Sequence, residues 1–170
     1  MDYIENEYCL NFPSKIGEFV KYHLYLYCSA NNNFADKILL PPGIETIGSR
    51  AFYNCRNISK IFYNTDAVAL YHKYGNDNKY RSNKFDYCGR NIPKGIVLTI
   101  GKDCHVVTSD MFSTREHGNS GSYPNIRSIT AENLKEKSTT KTYLTLTNYA
   151  FSYLPKLLEV ILPRRQFDEA

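Results

Sequence analysis

The chain has 170 residues, 42% of them hydrophobic, which is enough to bury one core and excludes a wholly disordered protein. Its formal net charge of +4, from 21 basic and 17 acidic residues, is too small to indicate nucleic-acid binding by itself. The N-terminal sequence MDYIENEYCL is acidic and lacks the features of a signal peptide, and no apolar run reaches the roughly 20 residues that cross a bilayer. We therefore expect a single cytoplasmic domain without a membrane segment.

The first segment, 1–35, is interpreted as an N-terminal cap. Within it, the sequence FVKYHLYLYC at 19–28 alternates between two faces, a pattern that predicts a β-strand. Three asparagines at 31–33 then indicate a turn. A stack of strands needs an atypical unit at its end, because the last strand would otherwise leave its backbone groups unpaired.

The next segment, 38–61, reads ILLPPGIETIGSRAFYNCRNISKI and is the most informative part of the chain. Neither the strand period nor the helix period runs through all of its apolar positions. Short strand-like pieces are instead separated by turn residues such as Pro42, Gly43, Gly48 and Asn54. This pattern is typical of one coil of a repeat protein, in which the chain turns several times and returns.

The pattern recurs further along the chain. When Phe112 is aligned with Phe52, six apolar positions coincide without a gap, and Val107 falls under Ile47. A third, shorter copy contains YAFSYLPKLLEVIL, in which Phe151 matches Phe52. The uneven spacing of the three phenylalanines predicts long insertions between the copies.

The motif IGSRAFYNC, within LPPGIETIGSRAFYNCRNISKI, resembles the BspA-type leucine-rich repeat, a unit of roughly 23 residues. The resemblance implies an α/β fold leaning to mainly β, namely a short leucine-rich-repeat solenoid of about three irregular coils with a parallel strand ladder and an N-terminal cap. It divides the single domain, 1–170, into five parts after the cap: a repeat (36–63), a basic Tyr-rich insertion (64–95), a repeat with an inserted loop (96–130), a degenerate repeat (131–163) and a tail (164–170).

The resemblance predicts that each coil adds one strand to the ladder, at 58–62, 126–130 and 157–161. Six residues should then point inward: Ile58, Ile61, Ile126, Ile129, Leu157 and Val160. The residues between them should point outward, on the face that leucine-rich repeats commonly use for partners. The predicted partner-binding residues on this face are Lys60, Phe62, Ser128, Thr130, Glu159 and Ile161.

The insertion is the other candidate for binding. Asp66 is a plausible N-cap, and the sequence predicts a short helix over 67–74 that ends at Gly75. The rest of the insertion is predicted to be a surface excursion in which tyrosines alternate with cations. Its candidate binding residues are Tyr74, Tyr80, Arg81 and Lys84, which could meet an acidic protein surface or, by base stacking and phosphate contacts, a nucleic acid.

The reactive residue types form no pattern that indicates chemistry. The five cysteines are odd in number, lack a C-x-x-C pair and fit no zinc spacing, so we expect reduced structural thiols. Cys104 and His105 are adjacent, which suits opposite faces of a strand rather than one metal ion. We therefore expect no enzyme activity, no catalytic or metal-binding residue and no cofactor.

The function predicted from these features is a non-enzymatic protein interaction module that uses the ladder face and the insertion loops. Two alternatives remain open at this point. One is a stand-alone inhibitor, encoded by a phage or mobile element, of a nucleic-acid-processing complex. The other is direct nucleic-acid binding through 71–90.

Overall fold

The computed structural model describes 31–48, 50–66, 84–108, 123–132 and 144–162, with short pieces at 9–11, 22–24, 68–70, 72–73, 80–81 and 111–112. Thirteen strands lie within these residues. They are β1 (Cys9–Asn11), β2 (Tyr22–Leu24), β3 (Lys37–Leu40), β4 (Ile44–Gly48), β5 (Lys60–Tyr63), β6 (Val68–Leu70), β7 (His72–Lys73), β8 (Tyr80–Arg81), β9 (Ile96–Ile100), β10 (Val106–Val107), β11 (Ile126–Ala131), β12 (Thr145–Leu146) and β13 (Glu159–Ile161).

The described residues contain strands and turns but no helix, so the mainly β part of the expected fold is confirmed. The helix predicted over 67–74 is wrong. Val68–Leu70 is a strand whose residues pair with β4, Thr46 opposite Val68 and Ile47 opposite Ala69. Pairing with a neighbouring strand decides the conformation of so short a segment, and its own sequence does not.

Among the described residues, the main sheet has six strands in the order β1-β3-β5-β9-β11-β13, and each neighbouring pair is parallel. Strand order follows chain order, so each pass of the chain adds one strand beside the last. Between these strands the chain forms other parallel pairs, β2-β4-β6 and β10-β12. In the second of these, Val107 lies opposite Leu146, equivalent positions in the aligned copies.

The prediction of three ladder strands missed half of the described sheet. Strand β9 lies between β5 and β11, so Ile61 pairs with Leu98, and Leu98 pairs with Ile129. The sequence alignment had placed 96–100 in a different part of the repeat from 58–61. In the structure both segments are the same part of consecutive coils, as are Ile38 and Ile61, which also pair.

The inward face of the sheet forms the core. Four of the predicted inward residues, Ile58, Ile61, Ile126 and Ile129, are at most 1% exposed. Leu157 is partly buried and packs against the same core. Val160 lies opposite the buried Ile129 in the strand register, on the inward face as predicted, but it is 38% exposed. It belongs to β13, the last strand of the sheet, and none of the described strands covers it.

Aromatic rings stack between coils on the far side of the core. The rings of Phe52 and Phe85 lie 5.4 Å apart and nearly parallel, at 6°. Those of Phe112 and Phe151 lie 6.4 Å apart at 9°. The aligned repeat copies predicted this series at Phe52, Phe112 and Phe151 but not at Phe85.

The segment around Phe85 follows the same pattern as the segment around Phe52. The sequence FDYC at 85–88 repeats FYNC at 52–55, and Cys55 and Cys88 are both completely buried. The residue two positions after the phenylalanine has a left-handed backbone in each case, with φ of 60° at Asn54 and 62° at Tyr87. This repeated turn continues the stack through 84–95, which the sequence analysis had assigned to a surface insertion.

Candidate partner-binding face

The outward side chains of the main sheet form two rows. Side chains alternate between the two faces of a strand, so the residues on either side of the buried Ile61 and Leu98 point away from the core. The strand register aligns the first row as Lys37, Lys60, Val97, Ser128 and Glu159. It aligns the second row as Leu39, Phe62, Thr99, Thr130 and Ile161. We call these ten residues the outer face.

The six residues predicted for the ladder all lie on the outer face. Lys60, Ser128 and Glu159 are in the first row, and Phe62, Thr130 and Ile161 are in the second. Lys60, Glu159 and Ile161 are exposed, and the other three are half-buried. Neighbouring strands of a sheet are about 4.8 Å apart, so each row is a regular series of side chains on a rigid support.

Four residues of the outer face were missed by the sequence analysis: Lys37, Leu39, Val97 and Thr99. Of these four, Val97 is an exposed apolar residue of the first row, with 43% of its surface accessible. The alternation of buried Ile96, Leu98 and Ile100 with Val97 was visible in the sequence. It would have identified these residues if 96–100 had been assigned to the ladder.

The second predicted group, from the basic Tyr-rich segment, is described only in part. Tyr74 lies outside the described residues. Tyr80 and Arg81 form β8, which pairs antiparallel with His72–Lys73, and only their backbone is described.

The prediction of Lys84 as a partner-binding residue is corrected by its burial. Lys84 is 1% exposed, and its ammonium group donates a hydrogen bond to the carbonyl of Met111 at 2.7 Å. The cause is its position in the repeat. Lys84 precedes Phe85 as Ala51 precedes Phe52, so its long side chain enters the core and places the charge at the next coil.

A cluster of aromatic and cationic residues covers the turns that lead into the sheet. Tyr53 and Tyr87 meet edge to face, 5.3 Å apart. The guanidinium of Arg90 lies 4.6 Å from the centre of the Tyr87 ring, and that of Arg50 lies 5.4 Å from the centre of Tyr53. The tyrosines on these turns thus already contact each other and two cations.

Asparagines link the same turns. The Asn91 side-chain amide donates to the Asn57 side-chain oxygen at 2.7 Å, and Asn57 donates to the carbonyl of Asn33 at 2.6 Å. Backbone bonds run beside them, from Asn91 N–H to the carbonyl of Arg56 at 3.0 Å. These bonds hold equivalent turns of three coils in a fixed spacing.

A cavity of about 500 Å³ lies at the opposite end of the strands, lined by Glu45, Asp66 and Asp103 among others. Its carboxylates hold turns together. Asp66 accepts hydrogen bonds from the backbone of His105 at 2.6 Å and lies 2.6 Å from the His105 Nδ1. Asp103 accepts a bond from the Asn64 amide at 3.0 Å. Among the described residues no group of three or more histidine, cysteine or acidic side chains could hold a metal ion.

Three of the cysteines, Cys55, Cys88 and Cys104, are buried and free of disulfides. Burial raises the pKa of the Cys104 thiol to about 12. Burial also raises the pKa of Cys88, which shares a hydrogen bond with Cys55. Cys88 and Cys104 are therefore neutral at physiological pH and act as small apolar residues of the core.

The raised pKa of Cys104 predicts a loss of stability in alkaline solution. Its thiol has a pKa near 9.0 when unfolded and about 12 when folded, so between these values only the unfolded chain releases the proton. The contribution of the protonated Cys104 thiol to the free energy of unfolding is complete below pH 9 and is lost as the pH rises towards 12. Urea unfolding at several pH values should show a free energy of unfolding that falls by up to about 1.4 kcal/mol per pH unit for this group.

The matched variant for this prediction is Cys104→Ala. Tyr63 and Cys88 also have raised pKa values from burial and remain in both proteins, so the difference in slope reports Cys104 together with the effect of its thiolate charge on Tyr63. We expect a shallower decline in the variant. Identical slopes would mean that the thiol titrates normally in the folded protein.

Comparison with known proteins finds a family match for part of the chain. Residues 9–81 match the family model described as BspA type Leucine rich repeat region (6 copies). This region belongs to the BspA-type leucine-rich repeat family, which confirms the resemblance found in IGSRAFYNC. The match contains β1 to β8 and ends just before the coil that contains Phe85.

No curated protein and no solved structure matches the chain. None of the described segments contains a helix with the length and apolarity that a membrane crossing requires.

Proposed function

We propose that the chain is a non-enzymatic interaction module, a leucine-rich-repeat solenoid that binds a protein partner through its outer face. The observation that carries this proposal is the register of the two rows across five consecutive strands. Repeat proteins use such stacked, regular surfaces for extended contacts with partners. The family of residues 9–81 supports the same general role.

The composition of the outer face suits a protein partner. The second row combines Leu39, Phe62 and Ile161 with two threonines, whereas the first row carries charges at both ends. Phe62 lies between Leu39 and Thr99 and is half-buried, so it offers an aromatic contact whose position is already fixed. Binding energy in protein interfaces is concentrated at such central, ordered side chains.

The experiment is affinity capture of partners by the wild-type chain and by single variants. Thr130→Arg places a long cation in the second row, between Thr99 and Ile161, and Asn148→Arg makes a comparable change at an exposed turn outside the outer face. We expect Thr130→Arg to lose partners that wild type and Asn148→Arg both retain. Equal capture by Thr130→Arg, with an unchanged melting temperature, would exclude the outer face as the binding site.

A further inference from the structure

Acidic and basic side chains of the described residues lie at opposite ends of the strands of the main sheet. The turns that follow the strands, together with β4, carry Glu45, Asp66, Asp103 and Glu132. We call these four residues the acidic edge. The turns that precede the strands, and the first positions of the strands themselves, carry Lys37, Arg56, Lys60, Arg90, Lys94 and Arg127. We call these six residues the basic edge.

The basic edge is continuous from coil to coil. Lys37 pairs with Lys60 in neighbouring strands. The backbone of Asn91, next to Arg90, donates to the carbonyl of Arg56. The side chain of Arg127 packs against Gly95, next to Lys94. The six cations therefore lie at the starts of four neighbouring strands, which are spaced about 4.8 Å apart.

These cations are not neutralised within the part of the chain that the structure describes. None of the six forms an ion pair with a carboxylate there, and the Nε of Arg127 is buried without a hydrogen-bond partner. The hydrogen-bonded pair of His105 and Asp66 lies at the acidic edge. Asp36, Asp86 and Glu159 are the acidic exceptions near the basic edge, just as Lys102 and His105 are basic exceptions near the acidic edge.

We propose that the partner presents an acidic protein segment, rich in aspartate or glutamate, to the basic edge. This inference rests on the proposed function and names the chemistry of the partner beside the outer face. Closely spaced, unneutralised guanidinium and ammonium groups favour a ligand with several carboxylates, since each arginine can bind one through paired hydrogen bonds. The acidic edge lies at the other end of the strands and repels such a segment, which therefore lies along the basic edge.

The same geometry favours a short acidic peptide over a nucleic acid. A strand of four to six residues spans only about 13–20 Å, so a long polyanion that covered the sheet would also meet the acidic edge. Tyr53 and Tyr87 contact each other and the guanidinium groups of Arg50 and Arg90. Base stacking on these rings would have to displace those contacts.

The test is a titration, followed by fluorescence anisotropy, of a labelled peptide of alternating glutamate and serine. A labelled oligothymidylate of the same net charge is the second arm. We expect the peptide to bind more tightly than the oligothymidylate, with an affinity that weakens as the salt concentration rises. Arg90→Glu should weaken peptide binding about tenfold, whereas Lys102→Glu, the same charge change at the acidic edge, should leave it nearly unchanged.

Three results would overturn the inference: no binding of the peptide at low salt, equal weakening by Arg90→Glu and Lys102→Glu, or tighter binding of the oligothymidylate. The last would assign the basic edge to a nucleic acid. These results can be told apart from a failure of the proposed function, which depends on Thr130→Arg and partner capture. If Thr130→Arg loses its partners while the peptide does not bind, the outer face remains the site and only the acidic segment is excluded.

Discussion

Replacing Phe85 with alanine should lower the free energy of unfolding by about 3–5 kcal/mol, as much as the same change at Phe52. Both rings are completely buried and stack on each other between neighbouring coils. Truncating either ring removes its buried surface and leaves a cavity in the core. Equilibrium unfolding in urea measures both variants.

The control for this prediction is Phe34→Ala, because the Phe34 side chain is 83% exposed and its loss should change the stability by less than about 0.5 kcal/mol. A double-mutant cycle should give a coupling of about 0.5–1.5 kcal/mol between Phe52 and Phe85. If Phe85→Ala were as mild as Phe34→Ala, the segment 84–95 would be a surface insertion and not a coil of the stack.

Lys84→Ala should cost about 2–4 kcal/mol of stability, which is unusual for a lysine. The side chain is 1% exposed, and its ammonium group donates to the Met111 carbonyl at 2.7 Å. Alanine removes the packed hydrocarbon chain and takes a donor from a buried carbonyl. Lys84→Met keeps the hydrocarbon chain and loses only the polar contacts, so it should be less destabilising than Lys84→Ala.

The nearby Lys94 is exposed and provides the comparison. Lys94→Ala should change the free energy of unfolding by less than about 0.5 kcal/mol. Thermal or urea unfolding of the three variants separates the two environments. Equal stability of Lys84→Ala and Lys94→Ala would show that Lys84 lies at the surface, as its sequence context had suggested.

The sequence predicted those parts of the fold in which one coil carries a complete pattern. IGSRAFYNC identified the repeat family, and the three-residue step placed Ile58, Ile61, Ile126 and Ile129 in the core, where they are buried. The same alternation placed Lys60 and Phe62 on the outer face. These features depend on local periodicity, which is visible in a single sequence.

The missed parts depend on contacts between coils. The coil of Phe85 was hidden because a charged residue, Lys84, takes the place of Ala51, and because the turn 89–95 lengthens the path to β9. Residues Val68–Leu70 form a strand only through pairing with β4. Val160 follows the inward pattern but is exposed, because it lies in the last strand of the described sheet. Whether a position has a neighbour on both sides cannot be read from its own sequence.

The outer face and the basic edge both require β9 to lie between β5 and β11. Nuclear Overhauser contacts in a methyl-labelled sample measure this order directly. We expect contacts from Leu98 to both Ile61 and Ile129, because Leu98 pairs with each of them in the sheet. Direct contacts between Ile61 and Ile129, with Leu98 in contact with neither, would contradict the six-strand order and remove the two rows on which the proposed function depends.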